Sequence, residues 1–328
     1  MIDPKEKYNS PLKNEIASYL LFRANQGHDA KKEETIFVSL DRYISTNMHS
    51  PITDNISPEL VEGWIESLPK SFSANTINLY ISHFKQFARY LNSKGYSVFL
   101  PERSLPDMTY IPYIFSSDEQ RRLISAADKR VETSRPSLRH NSACFSVLLR
   151  MLVGCGFRIN ELLNLKTSEV DLDNGIITVK DAKGSKDRIV PVHETLLDTL
   201  YIFMKSGIPQ HDGYFFTSYK GKKLSYSWAR DNFNFCIADI GIVKPDLKSH
   251  ARNICIHCLR HSYAVSVFQK FDQDNRDLYS EAPIISTYLG HKNIYGTEIY
   301  LHMTTSNNSD VIRKMKTYNK GLFPEVSL

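Results

Sequence analysis

The chain has 328 residues, 41% of them hydrophobic and 23% charged, with 41 Lys and Arg against 36 Asp and Glu for a net charge of +5. That length exceeds what one hydrophobic core usually serves, so two domains are expected, each able to bury a core. There is no run of 18 apolar residues, the opening MIDPKEKYNSPLKNE is polar where a secretory leader would be basic and then apolar, and five cysteines suit no disulfide framework. These features exclude membrane-spanning and disulfide-stapled secreted classes, and a soluble protein of the reducing cytoplasm is expected.

Residues 1–105 carry 12 Lys and Arg against 12 Asp and Glu, so the basic surplus falls in residues 106–328, at 29 against 24. A basic second part attracts anions, nucleic acid among them, although a surplus this small is weak on its own. The first hundred residues read as four helices, over 11–26, 32–47, 58–68 and 73–94. In the last, Ile77, Leu79, Tyr80, Phe84, Phe87, Ala88 and Leu91 recur at three- and four-residue steps and Gly95 follows as a stop. Residues 96–113 hold three prolines and no sustained period, which reads as an extended linker with a domain boundary near residue 107. Ser116 and Glu119 then form the sequence pattern of a capping box. Helices are expected over 117–130, 141–153 and 159–166. GIITVKDAKGSKDRIVPV alternates β-formers around Lys183-Gly184, with Asn174-Gly175 as an entry turn, and predicts a hairpin or the start of a three-stranded sheet. Helices return over 193–205, 225–240, 257–271, 281–288 and 295–301.

Several polar residues sit where chemistry needs them. IHCLRHSYAVSVF begins a helix with His257 and Arg260 three apart on one face, while His261 is expected to point elsewhere as a buried, hydrogen-bonded histidine. A helix N-terminus favours an anion, and an Arg with a His adds forked and titratable donors. In LLRMLVGCGFRINELLNLK, Gly154 and Gly156 lead into a helix entered at Arg158, and Glu161, one turn on, is placed to orient its guanidinium. Lys183 occupies the hairpin turn, from which a flexible cation reaches outward, though most turn lysines only aid solubility. LGHKNIYGTEIYLH supplies His291 and Tyr300.

Arg158, Lys183, His257, Arg260, His291 and Tyr300 suit displacement at a phosphodiester. Negative charge grows on the non-bridging oxygens, for which two arginines are the best side-chain clamp, and the leaving alkoxide needs a proton that a lysine can give. A tyrosine hydroxyl, with a pKa of about 10, needs cationic neighbours and a base such as histidine. The set contains no metal cage. Cys255 and Cys258, with His250 and His261 nearby, offer one zinc hook where a closed site usually pairs two, and Cys155 reads as a small apolar filler.

In order and spacing these stretches resemble the tyrosine recombinases, or phage-type integrases, which include the Xer-type enzymes. GCGFRINELLNLKTSEVDLDNGIITV is similar to the family's first arginine box, AKGSKDRIVPV to its β-hairpin lysine motif, HCLRHSYA to its His-x-x-Arg box and LGHKNIYGTEIYLH to its nucleophile box. The likeness spans nearly the whole chain. It implies a mainly α fold, with residues 1–106 as a four-helix, SAM-like core-binding domain on DNA. Residues 107–328 are then an α+β catalytic domain with a small antiparallel three-stranded sheet and a C-terminal tail.

The resemblance further implies that Tyr300 attacks the scissile phosphate to give a 3′-phosphotyrosyl link and a free 5′-hydroxyl. Arg158 and Arg260 would hold the non-bridging oxygens, Lys183 would protonate the leaving oxygen, and His257 would assist proton transfer. His291 would support the phosphate and Glu161 would brace Arg158. The covalent link conserves the energy of the broken bond, so no cofactor is expected, neither ATP nor a metal. The implied partners are double-stranded DNA with inverted-repeat sites and a homotetramer on two paired sites, with no membrane, in integration, excision, transposition or resolution. The helices at 73–94 and 225–240 would read bases, and residues 311–315 of the tail form a short amphipathic piece suited to docking on a neighbouring subunit. HARNICIHC lacks the family's Ser/Thr-Pro lead-in, and the ten or so residues before the first helix are too few for an arm-binding domain. Two other readings stay open: a type IB topoisomerase, which shares the chemistry, and a catalytically silent DNA-binding protein, which gives Lys183 and Tyr300 no reason to complete the set.

Overall fold

A computed structural model describes residues 7–28, 30–47, 55–102, 111–180, 187–206, 213–243, 253–291 and 293–306. The chain forms two compact units that divide between residues 110 and 111.

The first unit is built from α1 (Lys13–Asn25), α2 (Ala30–Asn47), α3 (Pro58–Ser67) and α4 (Ala74–Asn92). Helix α4 starts where Ser73 Oγ accepts the Thr76 backbone N–H at 3.2 Å. Of the stripe that its period predicts, Leu79 is instead exposed and Ile77 only half-buried, while Ile81 is buried in addition; the helix buries Tyr80, Ile81, Phe84, Phe87, Ala88 and Leu91. These side chains close on Tyr19, Phe37 and Trp64, with Phe87 5.1 Å from Phe37 and 5.2 Å from Tyr19 between ring centroids. Two short strands, β1 (Asn55–Ile56) and β2 (Ser97–Val98), pair in parallel. Part of the stretch expected as linker is therefore fixed: Ile56 and Val98 are buried in the same core, and Asn92 Oδ1 accepts the Val98 N–H at 2.8 Å.

In the second unit α5 (Ser117–Thr133) opens on the expected capping box, with Ser116 Oγ accepting from Glu119 N and Glu119 Oε2 accepting from Ser116 N. Helix α6 (Pro136–Cys155) begins earlier than residue 141, because Pro136 occupies the first helical turn, where a missing N–H costs nothing. A short α7 (Ile159–Asn164) leads to an antiparallel sheet of β3 (Val170–Asp171), β4 (Ile176–Val179) and β5 (Arg188–Pro191), in the order β3-β4-β5. The turn between β3 and β4 has Gly175 in the left-handed region at φ 65°, as Asn174-Gly175 predicts. Helices α8 (Glu194–Lys205) and α9 (Tyr226–Asp239) complete the main core.

Helices α10 (Cys258–Gln273), α11 (Leu278–Leu289) and α12 (Tyr295–Ser306) pack around a second cluster, which includes Ala264, Val265, Phe268, Leu289 and Leu301. Helix α11 starts three residues before the predicted 281, since the Asp277 carboxylate accepts from the N–H groups of Tyr279 and Ser280 and fixes an earlier cap. Among the described residues no helix is long and apolar enough to cross a membrane.

Candidate active site

The two helices that frame the site both end on a left-handed glycine, α6 at Gly156 (φ 63°) and α11 at Gly290 (φ 66°). A helix C-terminus leaves carbonyls without intrahelical donors and carries the negative end of the macrodipole. Three arginines use the end of α11. Arg188 Nε donates to Tyr288 O at 2.8 Å, Arg260 Nη2 donates to Leu289 O, and Arg158 Nη2 donates to Gly290 O at 2.8 Å. Arg260 also donates from Nη1 to Gly156 O at 2.8 Å, so one guanidinium spans both helix ends.

Glu161 is the carboxylate within this cluster. Its Oε1 accepts from Arg158 Nη1 at 2.9 Å, and Arg188 binds it in a fork, Nη1 to Oε1 at 2.9 Å and Nη2 to Oε2 at 2.8 Å. The backbone N–H of Arg158, which enters α7, donates to Glu161 Oε2 at 2.8 Å. Burial alone would raise the Glu161 carboxyl, but the Arg188 and Arg158 contacts outweigh it and hold the group below its ordinary value. Among the described residues that make these contacts, three guanidiniums stand against one carboxylate, two positive charges in excess.

Arg260 is 1% exposed, and its hydrogen-bond partners among the described residues are neutral carbonyls. Carbonyls orient a guanidinium without neutralising it. Burial, reinforced by Arg158, pulls its pKa down to about 10, which still leaves it cationic at neutral pH. The side chain of Arg158 is 37% exposed, the most open of the three.

Tyr300 lies on α12, 2% exposed, within the cluster that Phe268 and Leu289 help to form. Its Oη is 2.9 Å from Nδ1 of His261. Burial raises the phenol pKa, while Arg260 and Arg158 act to lower it. The ring of His291 runs nearly parallel to that of Tyr300 at 6.3 Å and 25°. His291 Nδ1 is 2.7 Å from Oγ1 of the fully buried Thr297, one turn ahead of Tyr300 on the same helix. Burial and then the fields of Arg260, Arg158, Arg188 and His257 depress the His291 pKa to about 4.

Four of the residues singled out from sequence, Arg158, Arg260, His291 and Tyr300, thus converge on the ends of α6 and α11, with Glu161 against Arg158 as expected. His257 is exposed at the start of α10, and its ring meets that of His261 edge-on at 4.7 Å. Lys183 lies outside the described residues, as do His250 and residues 311–315. The expectation that His261 points away is corrected: it is four residues from His257 and so shares that face, and α12 brings Tyr300 onto it. Sequence reasoning also missed Arg188, whose register on β5 with the buried Val190 was the available signal, and Thr297. Cys255 and Cys258 hold their sulfurs 3.8 Å apart, and among the described residues no group of three or more His, Cys, Asp or Glu is arranged to hold a metal ion.

Comparison with known proteins agrees with this arrangement. The phage integrase family profile matches residues 114–307, more than half of the chain. Tyrosine recombinase XerA of Pyrococcus horikoshii is 26% identical, over 96% of this chain and 97% of its own length. Tyrosine recombinase XerD of Chlorobaculum tepidum is 27% identical, over 77% and 79%. Among solved structures, the XerH site-specific recombinase in a post-cleavage complex with palindromic difH substrate has a TM-score of 0.62 at 19% identity, covering 87% of this chain and 77% of that one. A lambda integrase tetramer bound to a Holliday junction gives 0.60 at 17% identity, over 88% and 76%, so both carry the same fold. This chain belongs to the phage integrase family and is a tyrosine recombinase, an enzyme that breaks and rejoins DNA.

Proposed function

We propose that the protein performs site-specific recombination with Tyr300 as nucleophile, on duplex DNA carrying inverted-repeat sites and as a homotetramer on two paired sites. The observation that carries this reading is the buried, unneutralised Arg260 beside the buried Tyr300 phenol. A buried cation whose hydrogen bonds among the described residues go to carbonyls leaves room for an anion, and a phenol in its field suits an electrophile that brings negative charge. A phosphodiester supplies both, and its two-electron displacement develops a second negative charge, which the two excess positive charges of the pocket offset.

Tyr300 Oη attacks phosphorus, the bond to the 5′-oxygen breaks, and a 3′-phosphotyrosyl ester forms. Arg158 and Arg260 hold the non-bridging oxygens, and His291, neutral at pH 7, supports the same phosphate. Lys183 protonates the 5′-oxygen and His257 assists proton transfer. Glu161 braces Arg158 directly, and Arg188 braces Glu161. Reversal with a 5′-hydroxyl from the partner site joins exchanged strands. The first unit then contributes its own DNA contacts, with α4 presenting Asn75, Ser82 and Arg89 on its exposed face at helical steps, and α9 is the other reading helix.

A nicked suicide duplex bearing the inverted repeats sought beside the gene tests this. The wild-type protein is expected to leave an SDS-stable adduct, and Tyr300→Phe to abolish it while still shifting the DNA on a gel. An adduct that survives in the Phe variant removes Tyr300 from the role.

A further inference from the structure

Tyr300 must lose a proton when its oxygen becomes an ester, and His261 Nδ1 lies 2.9 Å from that oxygen, although the motif likeness assigned His261 no role. We propose that His261 is a catalytic residue of this enzyme, the base that takes the Tyr300 proton during cleavage and returns it during rejoining. The proposal rests on the reading of Tyr300 as nucleophile.

The geometry favours His261 over the other two histidines. Direct proton transfer needs heavy atoms about 2.6 to 3.2 Å apart, and the His261 Nδ1 to Tyr300 Oη distance is 2.9 Å. His291 has its Nδ1 committed to Thr297 and lies parallel to the Tyr300 ring at 6.3 Å, a stacking contact. His257 is exposed and meets the edge of His261 at 4.7 Å between centroids, which places it to accept charge from His261 toward solvent. The charged and titratable groups facing this pair from the surrounding elements are Arg158, Arg260, His257 and His291. The arginines favour the phenolate over the phenol.

The step balances within the protein. With His261 as the Nε2–H tautomer, the Tyr300 O–H pair forms the new bond to phosphorus and its proton passes to Nδ1. The bond from phosphorus to the 5′-oxygen breaks with its electron pair on oxygen, and that oxygen takes a proton from Lys183. An imidazolium and a neutral amine replace an imidazole and an ammonium, so the charge of the pocket is unchanged by the proton movements. The same groups run in reverse on rejoining.

The test is single-turnover cleavage of suicide duplexes with either a 5′-oxygen or a 5′-sulfur leaving group, the latter needing no proton. Wild-type protein must form the adduct on both; failure there sinks the nucleophile reading itself, separately from His261. Asparagine places an amide oxygen near the position of Nδ1 and keeps a hydrogen bond to the phenol, but it accepts no proton at neutral pH. His261→Asn is expected to bind DNA as the wild type does and to cleave both duplexes slower by about 10²- to 10⁴-fold. His261→Ala should be equally slow, with part of the rate restored by added imidazole. Cleavage by His261→Asn within about threefold of wild type would reduce His261 to a positioning contact and overturn the proposal. So would a defect that the sulfur leaving group fully relieves, since that would put His261 on the departing strand.

Discussion

His291 is held neutral first by its burial and then by the three guanidiniums around it. Its folded pKa, about 4, lies below the ordinary 6.5, so between those values the unfolded chain binds a proton that the folded chain refuses. The sign follows: this contribution to stability is complete above pH 6.5 and is lost as pH falls through the window toward 4. NMR of the imidazole nitrogens should show His291 uncharged at pH 6, and denaturant unfolding should show that His291→Gln flattens the loss of stability between pH 6.5 and 4. A titration of His291 near 6.5 in the free protein would contradict the site's electrostatics. Residues such as this were legible by type and spacing but not by state, because the pKa depends on Arg158, Arg188 and Arg260, all distant in sequence. His261 shows a different limit. Its step of one from Arg260 suggested another face, while its step of four from His257 named the right one, and only the position of α12 decides between them.

At the scale of elements, the site depends on how helices stop. Gly290 at φ 66° both turns the chain out of α11 and lets Arg188 pass, since a Cβ there would lie 2.9 Å from Arg188 Nη1. That guanidinium cannot yield easily, being held by Tyr288 O and by both oxygens of Glu161. Gly290→Ala should therefore cost about 1 to 3 kcal/mol in denaturant unfolding and also slow adduct formation in fully folded protein. Gly95→Ala, at φ 94° with nothing within 4 Å, is the matched control: a comparable backbone cost with cleavage unchanged. Helix positions were readable from period and caps, as the repeat of α4 and the cap at Ser116 show, and the three-stranded sheet from alternation. The short β1–β2 pairing was not, because two-residue strands leave no period. In β5 the buried Val190, with Val192 just beyond the strand, sets the register, which leaves Ile189 60% exposed and turns the Arg188 side chain inward at only 10% exposed. Glu161 supplies the carboxylate that pairs the inward Arg188 there.

For the whole molecule, the two units have cores that share no residue, one closing on Trp64, Phe84 and Phe87 and the other spread from Phe115 to Leu301. Phe87→Ala, which removes a fully buried ring, is expected to destabilise the first unit by about 3 to 5 kcal/mol. Calorimetry should show one transition moving down and the other in place; a single transition moving as a whole would mean that the units unfold together. Two cores were predictable from length, and the four boxes named the family before any coordinates, whereas the fastening of the cations was not written in any one of them. Arg158, Arg188 and Arg260 arrive from a helix entrance, a strand and the first turn of another helix, yet all three take their bearings from the peptide groups of residues 288 to 290. Because Arg260 is also tied to Gly156 and the other two to Glu161, residues 288 to 290 act as a keystone: a change there disturbs every cation of the anion clasp at once.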